Sequence, residues 1–444
     1  MVDKGMEMEL TVMRKIAWRM VPLLSVGYLI NALDRFNISF AALTMNKALG
    51  LSATAYGLGA GAFFWSYVLF QVPANMVLMR LGARRWIMMI MIVWGICSAG
   101  AALVTGVASF VIVRFLLGIA EAGFFPGVAF IMTRWFPARY RGRAMGVVYA
   151  FGATAGIIGG PLSAHLLGLD GRLGLAGWQW VFLVEGPPAM LLAVACPFLL
   201  RDGPAEAHWL SVAERTWLQQ QLHSEAETAV GRHLTFARAI ASPVILVLTA
   251  VYFLLVSGSN GKEFFLPLMI KGLGYSTINV GYLTSLPAIA GVIGMVMFSQ
   301  SSDRTGERMW HLVIPCVLGG VALIVAGLSL HISPALAIAS FCVSSFGIAG
   351  ALPVFWNLPT AFLGTAAAAA GIAFINSIGG ISGYVAPQLV GILRDATGSY
   401  ELPMMVIGIA VVAAGLLVPL STRRGTSNPT QRQADHPADP AAVR

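Results

Sequence analysis

The sequence contains few charged residues for its length. Only 11% of its 444 residues are Asp, Glu, Lys or Arg, whereas 57% are hydrophobic, and the mean hydropathy is +0.78. A soluble domain carries about 25% charged residues. This shortage of charge excludes a soluble globular protein and places the chain in a lipid bilayer.

Cysteine is also scarce, and no pair of cysteines has the spacing of a metal site. Four cysteines lie singly in apolar stretches, at Cys97, Cys196, Cys316 and Cys342. We expect them to be small core residues. The catalytic motifs CxxC, HExxH, GxSxG and Walker A are absent, and no loop is long enough for a folded output domain. The sequence therefore predicts neither an enzyme nor a sensor, and no metal or cofactor.

Apolar runs, in contrast, are abundant. About twelve of them, each near 20 residues, are long enough to cross a bilayer as helices. We therefore expect an all-α polytopic membrane protein. Its transmembrane helices are predicted at about 18–43, 54–79, 86–105, 107–132, 144–168, 178–200, 243–270, 279–300, 310–330, 334–356, 366–392 and 402–420. No cleavable signal peptide is expected, because the first apolar stretch is too long for one.

These spans divide the chain into two halves of six helices, residues 18–200 and 243–420. A charged segment (1–17) precedes them, and a tail (421–444) rich in Arg, Pro, Asp and Ala is expected to be disordered. The hydrophilic stretch 201–242 links the halves. In it, Ser211-Val-Ala-Glu214 has the spacing of a capping box, which predicts a helix that lies on the membrane surface.

The formal charge of +9 comes from residues between the apolar runs, not from a soluble basic face. We call one end of the predicted bundle the arginine-rich end, because its loops contain Arg80, Arg84, Arg85, Arg134, Arg139, Arg141 and Arg143. The opposite loops offer little beyond Lys47 and Arg172. The positive-inside rule places the arginine-rich end and both termini in the cytoplasm. The positive charge thus needs no nucleic-acid partner.

Landmarks recur along the chain at a nearly constant offset. Gly82 and Gly306 differ by 306 − 82 = 224 positions, and both follow the second span of their half. Two proline pairs agree, since Pro126 and Pro353 differ by 353 − 126 = 227 and Pro161 and Pro387 by 387 − 161 = 226. A parallel duplication of six helices is the arrangement of a secondary transporter, with its site at the midplane between the halves.

Four charged residues stand out among those inside the predicted spans of the first half. Arg114 and Glu121 are seven residues apart, so they project from nearly one face of a helix, about 10 Å apart along its axis. Asp34 and Arg35 are adjacent in the first span. Each such charge costs about 2.5–3.5 kcal/mol on insertion scales, which favours a cavity or a partner. Structural ion pairs, or a helix-end Arg that reaches the surface, are the alternatives. Glu121 lies on the helix face of Arg114, and Asp34 is next to Arg35, so we expect each carboxylate to have a neighbouring cation that can serve either it or a substrate anion.

The loops Arg80-Leu-Gly82-Ala-Arg84-Arg85 and Asp303-Arg304-Thr-Gly306-Glu307-Arg308 resemble the major facilitator superfamily, over about residues 18–420. Further stretches resemble its anion:cation symporter branch, which imports organic anions with protons. They are Leu33-Asp34-Arg35, Arg114 to Gly127, Trp135 to Arg141, Gly177 to Gly186 and Ala370 to Gly379. One departure concerns the first loop, where Met79 replaces the usual acidic residue. It puts in doubt the usual charge-relay gate of the first half.

The resemblance implies roles for particular residues. It implies proton coupling at Asp34 and Glu121, and gating by the two loops just quoted. It also implies substrate contacts from Arg35, Tyr67, Arg114, Trp356 and Asn376. Without the resemblance, Tyr67 and Trp356 would be interpreted as core or interface aromatics. Lys262-Glu263 is interpreted as a partly wetted pair near a helix break before Pro267, and Glu185 as structural.

The sequence predicts a proton symporter that imports a small organic anion across the plasma (inner) membrane by alternating access. Sugar acids, hydroxydicarboxylates and aromatic carboxylates all fit two buried arginines, because a guanidinium presents a planar fork to a carboxylate. The lipid bilayer, the proton and the substrate are the expected partners of a monomer. Exchange of inorganic phosphate or organophosphate is an alternative, as is drug efflux by proton antiport.

Overall fold

A computed structural model describes residues 2–229, 243–362 and 365–425, and these fold entirely into helices and their connections. The helices of the first half are α1 (Val2–Ala48), α2 (Ala53–Leu81), α3 (Ala83–Gly100), α4 (Val107–Glu121), α5 (Phe124–Trp135), α6 (Ala138–Leu167), α7 (Gly177–Glu185) and α8 (Pro187–Leu199). The linker contains α9 (Val212–Ala229). The second half contains α10 (Pro243–Gly272), α11 (Thr277–Thr305), α12 (Trp310–Ser329), α13 (Pro334–Phe355), α14 (Asn357–Phe362), α15 (Thr365–Thr397) and α16 (Glu401–Gly425).

These helices account for the twelve predicted spans. Within the described residues, 11 helical segments are long and apolar enough to cross a membrane. The remaining predicted span coincides with α15, which has 33 residues. The all-α fold with two six-helix halves is therefore confirmed. The first helix begins earlier than predicted, at Val2, so the segment before residue 18 continues the helix. The predicted disordered tail lies mostly outside the described residues.

Two spans that the sequence predicts as single helices are interrupted. The fourth span breaks at Ala122 and Gly123 between α4 and α5, and the sixth breaks at Gly186 between α7 and α8. The tenth span ends as predicted at Trp356, and the short helix α14 follows it. The proline after Gly186 explains the second break, because it has no backbone N–H for the preceding turn. Two buried glutamates, Glu121 and Glu185, thus end a half-helix.

The two halves pack together at the end remote from the arginine-rich end. A Cβ on Gly57 of α2 would lie 2.5 Å from the Pro387 carbonyl oxygen of α15, and one on Gly160 of α6 would lie 2.4 Å from the Gly281 carbonyl oxygen of α11. Such contacts require glycine, because small residues let helix backbones approach. Ser285 of α11 also donates to the Ile157 carbonyl at 2.8 Å.

Toward the arginine-rich end, the same helix pairs separate. Tyr149 of α6 and Val296 of α11 are each 48% exposed, which means that no other part of the protein covers that share of their surface. On the other pair, Val72 of α2 is 68% exposed and Asn376 of α15 is exposed as well. The halves therefore enclose a cleft that is closed at the far end and open toward the arginine-rich loops.

The linker helix α9 begins with the predicted capping box. The Ser211 N–H donates to Glu214 Oε2 at 2.8 Å, and the Glu214 N–H donates to Ser211 Oγ at 3.3 Å. Lys15 Nζ of α1 lies 2.6 Å from Glu214 Oε1, which ties the linker to the first helix. Burial of Leu210 and Leu218 adds an apolar contact to this junction. Residues 230–242 of the predicted linker lie outside the described part of the chain.

Candidate functional site

The charged residues of the first half meet in its interior, around α1 and α4. Glu121 Oε2 accepts from Asn31 Nδ2 at 2.8 Å and lies 3.5 Å from Arg35 Nη2. Arg35 Nη2 also reaches Asn31 Oδ1 at 3.4 Å. The Glu121 side chain is fully buried, whereas that of Arg35 is 24% exposed. Arg35 therefore has one side on Glu121 and another on the cleft. We call Asn31, Arg35, Arg114, Glu121 and Tyr67 the arginine site.

Arg114 lies behind Arg35 and contacts the same aromatic wall. Its guanidinium is 5.0 Å from the centre of the Phe63 ring, and Nη2 donates to the Arg35 carbonyl at 3.5 Å. Its Nε atom is buried without a hydrogen-bond partner. The Arg35 guanidinium lies 5.2 Å from the ring centres of both Phe63 and Tyr67. Aromatic faces stabilise guanidinium groups that have left water. The site thus contains guanidinium N–H donors that have no acceptor in the described part of the protein.

Asp34 faces away from the arginine site. Its carboxylate accepts from Trp94 Nε1 at 2.7 Å, from Ser98 Oγ at 2.7 Å and from Asn37 Nδ2 at 3.3 Å. The expected pairing of Asp34 with Arg35 is therefore wrong, and so is that of Glu121 with Arg114 as its main partner. Adjacent residues on α1 point about 100° apart, so Arg35 reaches across to Glu121 while Asp34 turns toward α3.

The second half contributes aromatic and amide groups to the cleft. Trp356 lies at the α13–α14 break, and its ring centre is 4.8 Å from that of Tyr252 on α10. Asn376 is exposed on α15, one turn before Gly379, where a Cβ would lie 2.2 Å from the Tyr252 ring. Tyr252 also lies within electrostatic range of Tyr28 and Tyr149 of the first half. Trp356 therefore contacts a tyrosine that the sequence analysis missed, and Asn376 lies one turn from a residue that contacts the same tyrosine.

Lys262 and Glu263 form the predicted adjacent pair, in which the Glu263 side chain is 37% exposed, but the predicted helix break before Pro267 is wrong. Helix α10 continues through Pro267, and Lys262 is 1% exposed. Its Nζ lies 2.5 Å from Ser345 Oγ and 3.0 Å from Glu263 Oε1. These two neighbours, on α13 and on its own helix, neutralise and solvate the ammonium group. Lys262 is thus part of the interior of the second half.

The two predicted gating loops are held by different acids. In the second-half loop, Arg308 Nη1 lies 2.6 Å from Asp303 Oδ1, and Gly306 has the left-handed backbone of a helix end at φ +69°. In the first-half loop, Gly82 has φ +80°, and the next helix is capped by Asp202, whose Oδ1 accepts from the Arg84 N–H at 2.9 Å. Asp202 belongs to the linker, so it supplies the carboxylate that Met79 lacks. Arg80, Arg85 and Arg304 are exposed.

Some polar partners could have been found from spacing. Asn31 and Arg35 are four residues apart, as are Trp94 and Ser98, so each pair projects from one helix face. Asp202 gave no such signal, because it lies 118 residues from Arg84 in the chain. Within the described residues, no three His, Cys, Asp or Glu side chains come together as a metal site. The arrangement suits binding of an anion and exchange of a proton.

The sequence profile of the Major Facilitator Superfamily matches residues 24–387. The chain therefore belongs to this superfamily of membrane transporters. It is 17% identical to a bacterial homologue of the human lysosomal transporter Spinster, solved in an inward-facing conformation, with a TM-score of 0.77 over 93% of this chain and 98% of that one. At this identity the likeness concerns the fold.

Several curated relatives match nearly the whole chain. Two proteins of Agrobacterium vitis, both provisionally named as tartrate transporters, are 42% identical over 417 and 416 residues, which is 94% of this chain and 92% and 96% of theirs. A quinolone resistance transporter of Acinetobacter baumannii is 40% identical over 415 residues, 93% of this chain and 95% of that protein. Relatives of similar identity are thus named for an organic acid and for a drug.

Proposed function

We propose that this protein imports a small organic anion, of the hydroxycarboxylate or sugar-acid class, together with a proton. The observation that carries the proposal is the geometry of Arg35. Its guanidinium is buried on one side against Glu121 and faces the cleft on the other. A guanidinium with a free edge in a largely dry site is a strong receptor for a carboxylate, because both groups are planar and two-pronged.

The coupling we propose follows from competition for this guanidinium. While the site is empty, Arg35 stabilises ionised Glu121. A substrate carboxylate that takes the Arg35 donors leaves Glu121 with the neutral amide of Asn31 and a more distant Arg114. A buried carboxylate that loses its nearest cation binds a proton more readily, so substrate and proton favour each other's binding. Reciprocal coupling of this kind is what symport requires.

Two further points support an organic acid over the alternatives. The tartrate transporters named above share 42% of their residues with this chain. The wall beside Arg35 is formed by the rings of Phe63, Phe64 and Tyr67, which suits a carbon skeleton better than bare phosphate. Efflux of a drug by proton antiport remains the competing function, because the quinolone resistance transporter is nearly as similar.

We also propose the topology that the charge distribution predicts. The arginine-rich end, both termini and the 201–242 linker lie on the cytoplasmic side of a bacterial inner membrane. The cleft would then face inward. A reporter fused at Gly203 should be accessible from the cytoplasm alone. Access to it from the periplasm would reverse the orientation.

The central experiment is uptake into proteoliposomes with an imposed pH gradient, acid outside. The panel contains tartrate, a sugar acid, an aromatic carboxylate, inorganic phosphate, an organophosphate and a quinolone. We expect accumulation of one of the organic acids that collapses with a protonophore. Phosphate-for-phosphate exchange without gradient dependence would favour the exchanger, and quinolone movement against the proton flow would favour efflux.

A further inference from the structure

The first half contains a second group of buried polar residues, on another face of α1 from the arginine site. We call Asp34, Asn37, Ser163 and Glu185 the rear pocket. Glu185 is 4% exposed, and its Oε1 accepts from Ser163 Oγ of α6 at 2.7 Å. Its Oε2 is buried without a hydrogen-bond partner. A buried carboxylate oxygen with no donor is costly, unless that oxygen carries a proton.

The surroundings of Glu185 do not favour a negative charge. Among the described residues, neither Glu185 nor Asp34 belongs to an ion pair. Glu185 is the last residue of α7, so it lies at the end where helix carbonyls gather and the helix dipole is negative. An uncompensated carboxylate inside a membrane is expensive, whereas a neutral carboxyl group is much less so.

Asn37 connects the two acids of the rear pocket. Its Nδ2 donates to Asp34 Oδ1 at 3.3 Å, and its side chain lies close to the Glu185 carboxyl group. Asn37 is 3% exposed, and its Oδ1 atom has no donor partner. One amide can thus serve an ionised Asp34 with its N–H group and offer its oxygen to a protonated Glu185. The two carboxyl groups interact electrostatically, so ionisation of one disfavours that of the other.

The groups that face the rear pocket from neighbouring helices are mostly neutral. From α3, Trp94 and Ser98 donate to Asp34, and the half-buried thiol of Cys97 adjoins Ser98. From α6, Ser163 donates to Glu185, while the ring of His165 turns toward Tyr282 of α11. On α1 itself, Arg35 is engaged with Glu121, and from α4 both Glu121 and Arg114 interact electrostatically with Asp34.

The rear pocket also adjoins the contact that closes the far end of the cleft. Ser163 lies on α6 between Gly160 and Ala164, which both contact Gly281 of α11 in the other half. Opening the far end requires α6 to separate from α11. A change of charge at Glu185, transmitted through Ser163, therefore reaches the helix pair that must move.

We propose that Glu185 is a proton-binding site, paired through Asn37 with Asp34, so that the rear pocket holds a shared proton separately from the arginine site. This inference rests on the proposed proton symport and adds a third acid to it. The proton that Glu121 takes up accompanies substrate binding. The proton of the rear pocket is bound and released as the far end of the cleft opens and closes. Its release leaves one carboxylate, which Trp94, Ser98 and Asn37 stabilise.

The test combines infrared spectroscopy with transport, on purified full-length protein in liposomes. Wild type should show the carbonyl stretch of a buried protonated carboxyl group that titrates with pH, and Glu185→Gln should lose that band. The same variant should keep counterflow of the organic acid that wild type transports, and should lose the pH dependence of gradient-driven uptake. Glu206→Gln, on the exposed linker turn, is the matched control and should resemble wild type in both assays.

A Glu185→Gln variant with the wild-type band and the wild-type pH profile would overturn the proposal. If that variant does not fold, Ser163→Ala keeps the acid but removes the donor to Oε1. It should then shift the band and the midpoint of the pH profile, and an unchanged band and profile would equally overturn the proposal. Failure of the underlying function looks different, because wild type itself would then lack uptake driven by a pH gradient while the infrared band still reports on Glu185.

Discussion

The two halves of this transporter share an arrangement of helices but differ sharply in buried charge. The first half buries Asp34, Arg114, Glu121 and Glu185 and half-buries Arg35. At the offset of 226 between the prolines, Asn260 aligns with Asp34 and Gly261 with Arg35. Asn260 is buried near Ser382. Duplication has thus kept the packing positions of both halves, while the charged chemistry resides in one of them.

Lys262 sharpens this contrast, because it is the one fully buried cation that the described part of the second half contains. It is satisfied locally, by Ser345 and Glu263. Arg35 and Arg114 keep donors that face aromatic rings or have no acceptor. A buried charge whose hydrogen-bond partners are incomplete indicates a binding site. A buried charge whose partners are complete indicates internal structure. The comparison therefore predicts large functional effects in the first half and small ones in the second.

The largest expected effect is on anion affinity in the first half. Arg35→Ala and Arg114→Ala should each weaken substrate binding by about 2–5 kcal/mol, or at least about 30-fold, because a buried hydrogen-bonded charge pair loses one partner. Arg35→Lys should recover only part of the loss, since an ammonium lacks the fork. Binding measured by counterflow or calorimetry tests this. Arg172→Ala, at an exposed position of the opposite end, is the control, and wild-type affinity in Arg35→Ala or Arg114→Ala would remove that arginine from the site.

Much of the fold was predictable from apolar runs and the repeat, because a bilayer requires helices of about 20 residues. The positions of Asp34, Arg35, Arg114 and Glu121 were predictable too, since charges stand out in apolar runs. Their pairing was not. Glu121 of α4 meets Arg35 of α1, rather than Arg114 of its own helix, as its nearest cation, and these two residues lie 86 positions apart in the chain. Such packing between distant segments leaves no local trace in the sequence.

The next largest effect is expected at Glu121, where one substitution separates proton coupling from substrate binding. Glu121→Gln imitates the protonated state, so it should hold substrate within a few-fold of wild type and support exchange between equal pools. Accumulation driven by a pH gradient should be lost. Counterflow and gradient-driven uptake are measured on the same vesicles. If Glu121→Gln still concentrates substrate on a pH gradient alone, Glu121 is a structural partner of Arg35, and the proton uses another group.

A smaller effect on substrate affinity is expected from the amide side chain of Asn376 in the second half. Asn376→Ala should reduce substrate affinity by about 0.5–1.5 kcal/mol, roughly 2- to 13-fold, because a neutral hydrogen bond is worth less than a charge-assisted one. Ser377→Ala, next to it on α15, serves as the control, since its hydroxyl donates to the Ala373 carbonyl of its own helix. A loss at Asn376 as large as that at Arg35 would contradict the division of labour between the halves.

Still smaller is the functional effect expected at Lys262. Lys262→Met removes the desolvated ammonium group, and the carboxylate of Glu263 that it leaves is 37% exposed, so that solvent can stabilise its charge and the cost should be small. Substrate affinity, pH-gradient-driven uptake and the thermal midpoint should all stay near wild type. A loss of anion binding in Lys262→Met, compared with Leu255→Met on the same buried helix, would show that the second half supplies a cation to the substrate.

The smallest effect distinguishes the acids that hold the two loops. Glu307 accepts hydrogen bonds from the backbone N–H groups of Trp310, at 2.8 Å, and His311, at 3.2 Å. Asp202 accepts in the same way from the backbone N–H of Arg84. Partial burial opposes ionisation, but hydrogen bonds from Trp310 and His311 outweigh it and hold the pKa of Glu307 below its usual value. A depressed pKa stabilises the fold above the unfolded-state value and loses that contribution as pH falls through the folded value.

Glu307→Gln should therefore lower stability at neutral pH by about 0.5–1 kcal/mol, the lower part of the range for a lost helix cap, because Gln still offers an acceptor oxygen. The difference from wild type should vanish in acid, where Glu307 is protonated in both the folded and unfolded states. Thermal unfolding in detergent across pH measures it, with uptake at neutral pH expected to be unchanged. Asp202→Ala should cost a similar amount, because it removes a cap from α3 in the same way. If Asp202→Ala also reduces transport while Glu307→Gln does not, the linker carboxylate has become part of the first-half gate, and the asymmetry between the halves extends from their buried charges to their loops.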